Sequence, residues 1–208
     1  MPPTIFLLSP ADVSATRAKQ MMSPRATFSA AIAYRSAEGV TIEDAFSFMS
    51  ALYFRGKIAY AKRFAAPPDG VDGGVYVIAP GCGLVPPSWR ITIETMKKLR
   101  KTEVEVKNRS YRQTLTSGAK ALAAKLTPDT RVVLLGSIAT GKYVDLLWPV
   151  FGAQFAFPLS FVGIGDMSRG SIMLNAARSG VELEYSTLDI ERRRKRTPSY
   201  DETPSPAE

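Results

Sequence analysis

The sequence predicts an α/β fold. We read one domain over residues 1–189, built on a mostly parallel sheet of about five strands flanked by helices, and a basic disordered tail over 190–208. Three observations carry that reading. Short apolar runs alternate with longer segments patterned as helices, which implies crossover connections between parallel strands. Arg131 to Leu135 is a continuous β-branched and leucine run, the composition of a strand covered on both faces. Glycine-rich turns follow several of the apolar runs, where such sheets place their loops.

Taken in order, Thr4 to Leu8 is a short apolar run closed by Ser9-Pro10, a buried strand entering a loop. Glu43 to Phe64 is long, rich in aromatics and free of proline, and Thr41 can cap it, so it reads as a helix. Gly73-Gly74 releases a strand over Val75 to Ala79. Thr92 to Arg100 and Tyr111 to Leu126 read as helices, the second stopped by Thr127-Pro128-Asp129. After the strand at Arg131 to Leu135, Lys142 to Phe151 reads as a helix and Phe155 to Val162 as a strand. Ser168 to Ser179 is a helix closed by Gly180, and Val181 to Tyr185 a last strand. Beyond Asp189 almost nothing is apolar, so the tail cannot offset its ordering entropy.

Composition excludes more than it selects. The 208 residues contain no histidine, which removes imidazole-based triads and histidine metal ligands together. The single cysteine, Cys82, allows no internal disulfide and fits a reducing, cytoplasmic setting; we read it as inert. Any metal would then be a hard cation on carboxylates, magnesium first. The net charge is +8, and the tail from Glu191 holds five basic and four acidic residues, so +7 belongs to the body. Such a body attracts polyanions, although charge of this size also serves solubility alone. The N-terminus lacks a basic region and a long apolar run, so no secretion signal is expected. Leu146 to Gly165 is uncharged but broken by Pro149, Gln154 and Pro158, so no stable membrane insertion is expected.

The strongest motif is Gly136-Ser137-Ile138-Ala139-Thr140-Gly141-Lys142, set between a strand and a helix as a phosphate-binding loop requires. In that reading Gly136, Ser137, Thr140 and Gly141 cradle phosphate with backbone N–H groups and Lys142 meets the outer phosphates. An ordinary tight βα turn with a surface lysine explains the same residues, and Tyr143 stands where a hydroxyl would ligate magnesium. A second glycine loop, Gly163 to Gly170, carries Asp166, a candidate for magnesium or for capping the next helix, and Arg169, a candidate partner for phosphate. In a parallel sheet both loops emerge on the same edge. Asp145 is a further candidate beside Asp166. A third cluster, Arg55, Lys57, Lys62 and Arg63 among Tyr53, Phe54 and Tyr60, has the basic-plus-aromatic character of a single-stranded nucleic-acid surface, or of a helix with an aromatic core face. Ser88 to Arg112 adds eight basic against three acidic residues.

Phe6 to Ala11, Leu52 to Gly56, Val77 to Ala79 with Gly83-Leu84, and Val133 to Leu147 together resemble the YaaA peroxide-stress family, which implies a Rossmann-like sheet and DNA binding. The opening and Ser47 to Lys57 are also similar to plasmid fertility-inhibition proteins of the Osa and FiwA kind. That likeness implies a cytosolic nuclease and ATPase that blocks conjugative DNA transfer, with a type IV secretion coupling ATPase as a further partner, and a ParB/sulfiredoxin-like mixed α/β fold as the alternative architecture.

These residues lead to one expectation and its rivals. The chain handles DNA or nucleotide phosphate, with ATP as ligand or substrate, through Lys142 and the Gly136 to Gly141 backbone. Asp166 with Asp145 would hold magnesium, and Arg169 would neutralise charge developing in phosphoryl transfer. The rivals are a non-catalytic DNA-binding or interaction protein of YaaA-like type and a base-excising enzyme.

Overall fold

The computed structural model describes residues 2–187; the basic tail expected over 190–208 lies outside them. The first strand, β1 (Thr4–Leu8), is followed by α1 (Thr16–Met22), α2 (Ser29–Arg35), β2 (Val40–Thr41) and the long α3 (Ile42–Phe64). Next come β3 (Val75–Ala79), β4 (Gly83–Val85), β5 (Arg90–Ile91), α4 (Ile93–Lys101) and α5 (Arg109–Ala123). The chain then runs through β6 (Arg131–Leu135), α6 (Val144–Phe151), β7 (Phe155–Pro158), α7 (Asp166–Ser179) and β8 (Tyr185–Thr187).

Six strands form one sheet in the order β4-β3-β1-β6-β7-β8. The four inner strands are parallel, and the two rims, β4 and β8, run antiparallel to their neighbours. This is the mostly parallel sheet flanked by helices that the sequence predicts, with one more strand than expected and a separate two-stranded ribbon of β2 and β5. It is doubly wound, so the parallel-sheet reading stands over the ParB/sulfiredoxin-like alternative.

The period-2 geometry of a strand explains the two cores. In β1, Phe6 and Leu8 face one cluster, together with Val75, Val77, Val133 and Leu135, under α1–α4 and α7. Ile5 and Leu7 face the other, with Ile78, Val132 and Leu134, under α5 and α6. All five residues of β1 are buried, as a central strand requires. Helix α5 meets its face through Tyr111, Leu115, Ala119 and Leu122, a stripe at helical spacing, and Asn108 caps it by accepting from the Tyr111 N–H at 3.1 Å. Thr92 and Thr95 cap α4 reciprocally.

Four segments depart from expectation. The strand expected over Phe155 to Val162 stops at Pro158, and a 3₁₀ turn over Leu159–Phe161 replaces its second half. The last strand lies at Tyr185–Thr187, downstream of Val181 to Tyr185, pairing Pro158 with Tyr185 and Ala156 with Thr187. Helices α1 and α2 were not anticipated; each is seven residues long with no side-chain cap. No helix among the described residues is long and apolar enough to cross a membrane.

Two backbone features shape the carboxyl edge of the sheet. From β1 the chain crosses to β3 on one side and later to β6 on the other, so the loops leaving β1 and β6 part company. Such a switch point opens a crevice at the carboxyl ends of the strands. The long α3 is broken at Ala51, whose φ of 43° and ψ of −119° belong to glycine's territory, so Leu52–Phe64 runs as its own helical segment.

Candidate functional site: a cleft at the switch point

The crevice at the carboxyl edge is a cleft of about 390 Å³, within the range of small-molecule sites. Its lining includes Ser9 and Asp12 from the loop after β1, Ser50 and Tyr53 from α3, Ser137, Lys142 and Tyr143 from the loop after β6, and Asp166 at the start of α7. The strand ends approach closely because residue 136 is glycine: a Cβ there would sit 2.9 Å from the Ser9 Cβ. The Ser9 N–H donates to the Leu135 carbonyl at 3.1 Å, extending the β1–β6 pairing into the site.

Lys57 lies behind Ser9 and is 1% exposed. Its Nζ donates to the Ser9 carbonyl at 3.0 Å and to the Ser9 Oγ at 2.6 Å, and sits 3.8 Å from the centroid of the Tyr53 ring. Carbonyl, hydroxyl and ring face thus surround the amine. Burial brings its pKa down to about 7; Asp166 opposes that shift, and Arg169 and Lys142 add to it. The Tyr53 hydroxyl is buried without a hydrogen-bond partner, beside Arg169 and Ser9 but in hydrogen-bond geometry with neither. Burial raises its pKa and that of Tyr143, so both stay protonated near neutrality.

The cleft's other groups are fixed from behind. Arg169 is 9% exposed; it donates from Nε and Nη2 to the Phe161 carbonyl at 3.2 and 3.0 Å, and from Nη1 to Asp166 Oδ1 at 3.3 Å. Lys142 is held through its backbone carbonyl, which accepts from the Tyr111 hydroxyl at 3.0 Å. Asp12 accepts from the Ser14 N–H at 2.8 Å and the Ser14 hydroxyl at 2.6 Å; these bonds first, and Lys142 last, lower its pKa. Helices α3 and α7 cross in backbone contact at Gly56 and Gly170, where a Cβ on Gly56 would lie 2.6 Å from the Gly170 carbonyl oxygen. That contact sets Lys57 and Arg169, each one residue from a crossing glycine, on the same side of the site.

Of the phosphate-loop residues, Ser137 and Lys142 reach the cleft, Gly136 permits the strand ends to meet, and Gly141 adopts φ 71° to turn the chain into α6. Thr140 is exposed and outside the lining. Asp166 and Lys142 converge as expected, with Arg169 beside them. Asp145 does not join them. It faces a groove between α5 and α6 lined by Arg112 and Lys120, because Val144, Leu146 and Leu147 pack inward and leave its position outward. The cluster Arg55, Lys57, Lys62 and Arg63 is also divided. Arg55, Lys62 and Arg63 are exposed, Lys62 pairs with Glu43 at 2.6 Å, and Lys57 points the other way, into the protein. Cys82 carries a thiol whose pKa burial raises, in keeping with the inert reading.

No three acidic or cysteine side chains gather into a metal-binding group among the described residues, and Asp166 already carries the Arg169 guanidinium. The carboxylates of the cleft lining are Asp12 and Asp166.

Sequence reasoning missed Ser9, Asp12, Tyr53 and Tyr143 as lining residues, and placed Lys57 on the wrong surface. The signal for Lys57 was present: Tyr53, Lys57 and Ala61 fall four residues apart, on the stripe that α3 buries. Set against models of known families, curated proteins and solved structures, the chain finds no match in any of the three.

Proposed function

We propose that the cleft binds the phosphate of a nucleotide or of a DNA strand, and that the protein is a phosphate-handling factor of the kind its likeness to the fertility-inhibition and YaaA families implies. The observation that supports this reading is Lys142 in the lining of a crevice at the switch point, with the largely buried Arg169 paired to the lining residue Asp166. A cation in a crevice that partly excludes water attracts an anion, and the two carboxylates of the lining are already engaged, Asp12 by Ser14 and Asp166 by Arg169. Lys142 reaches the cleft with its carbonyl fixed by Tyr111 and provides the counter-charge; Arg169 holds Asp166 and the Phe161 carbonyl beside it.

Isothermal titration of the full-length protein with ATP and with a short single-stranded DNA, each with and without magnesium, tests this. Lys142→Ala should weaken binding of the preferred ligand about 10-fold or more, as expected for removal of a charge-assisted contact worth roughly 1.5–3 kcal/mol. Unchanged affinity in a folded variant, or no binding by either ligand at low salt, overturns the reading.

A second reading, non-catalytic DNA binding by surface charge, is favoured by α4, whose Lys97, Lys98, Arg100 and Lys101 are all exposed. In that case DNA affinity would fall steeply with salt and be indifferent to Lys142→Ala.

A further inference from the structure

We propose that Ser9 and Lys57 form a nucleophile–base pair, in which the Ser9 hydroxyl attacks the phosphorus of a phosphate ester held in the cleft. The substrate class rests on the phosphate reading above; the pair itself rests on its own geometry.

Ser9 lines the cleft at the end of the central strand, and Lys57 sits directly behind it, shielded from solvent. The 2.6 Å separation of Nζ and Oγ is a direct proton-transfer distance. The amine's surroundings suit its neutral form. A neutral amine has two hydrogens and one lone pair; donating one hydrogen to the Ser9 carbonyl and turning another toward the Tyr53 ring leaves the lone pair for the Ser9 hydroxyl hydrogen. The charges facing Lys57 are Asp166 and Arg169 on α7 and Lys142 on the loop after β6, with Tyr53 from its own helix. Two cations against one carboxylate, added to complete burial, favour the unprotonated amine near neutral pH. Lysine is the natural base in a chain without histidine.

The rest of the cleft supplies what the attack needs. Lys142, in the lining, meets the charge gathering on the phosphoryl oxygens, and the Tyr53 hydroxyl, buried and unpartnered beside Ser9, is a spare donor to one of them. As the Oγ–P bond forms, the bond from phosphorus to the leaving oxygen breaks. The hydroxyl proton passes to Nζ and stays there, while the departing oxygen, on the far side of phosphorus from Oγ, takes a proton from solvent and leaves as an alcohol. Water then attacks the phosphoserine, the Oγ–P bond breaks, and Ser9 regains its proton through Lys57, releasing phosphate with no net change in the protein.

An alkyl fluorophosphonate tests the pair directly, since attack by an activated serine forms an Oγ–P bond and expels fluoride. Peptide mapping of the labelled wild-type protein should place one adduct per chain on Ser9. The labelling rate should rise about 10-fold from pH 6 to pH 8 and then level off, following loss of the Lys57 proton. Lys57→Met, of similar volume, should slow labelling about 100-fold, the lower range for loss of a general base, and remove the pH dependence. A folded wild-type protein with no adduct on Ser9 overturns the proposal, as does a Ser9 adduct formed at a rate flat from pH 6 to pH 8, which would reduce Lys57 to a strut between α3 and β1. The ATP and DNA titrations run alongside separate the two claims. Phosphate binding without Ser9 labelling sinks the pair alone; Ser9 labelling without phosphate binding overturns the substrate class.

Discussion

Raising the pH from 7 to 9 should stabilise the folded protein by about 2 kcal/mol, and Lys57→Met should abolish most of that gain. The sign depends on where the Lys57 proton resides. Its folded-state pKa is depressed to about 7 from an ordinary 10.5, chiefly by burial. Below pH 7 both folded and unfolded chains hold the proton, and the folded state bears the full cost of a buried ammonium. Between 7 and 10.5 the folded amine has lost its proton while the unfolded chain still binds one, so stability climbs as pH rises through that window. The chain has no histidine to titrate below that window, and the groups that oppose the gain act toward its top. Burial raises the pKa of Cys82 and of the core tyrosines, Tyr60 to about 12, which costs stability as pH rises through the ordinary thiol and phenol values. Urea denaturation at pH 7, 8 and 9 for wild type and variant measures it; parallel slopes in the two proteins would show that Lys57 is protonated when folded.

The other large effect is expected at the helix crossing. Gly170→Ala would place a Cβ 2.8 Å from the Leu52 carbonyl oxygen and 2.9 Å from the Tyr53 Cα, both backbone atoms that no rotamer change can move aside. Helices α3 and α7 would have to separate, at a cost of about 3 kcal/mol or more by analogy with overpacked cores. Because Tyr53 and Lys57 belong to one helix and Asp166 and Arg169 to the other, the same substitution should weaken phosphate binding. Gly165→Ala is the control: its Cβ would meet nothing within 4 Å, and its φ of −82° suits any residue. Urea midpoints for the two variants, read with the ATP titration, decide the matter; equal midpoints would mean that the crossing yields freely.

Much of the fold was legible because burial on both faces leaves a compositional mark. The Val-Val-Leu-Leu of β6 and the Ile-Phe-Leu-Leu of β1 admit little other than central strands, and the glycines at 136 and 141 announce the turn that joins β6 to α6. The short elements were not legible. Helices α1 and α2 lack caps, and β2 and β5 are two residues each, so tertiary contacts alone decide them. At the site, adjacency of two loops could be argued from topology, and Lys142 and Asp166 do line one cleft. What the linear order hides is which way a side chain turns: Asp145 is three residues from Lys142 and faces another groove, whereas Lys57 is 85 positions away in sequence and shares its electrostatic neighbourhood.

The central place of β1 also governs how the chain can assemble. Residues 4–8 are synthesised before both of their neighbours, one of which arrives only with Val75 to Val77 and the other only with Arg131 to Leu135. Until then an apolar strand has both edges open, the condition that invites self-association. Closing such distant pairings sets a slow, entropy-limited folding step, so nascent chains that have not yet reached Leu135 should depend on chaperones to hold β1 apart.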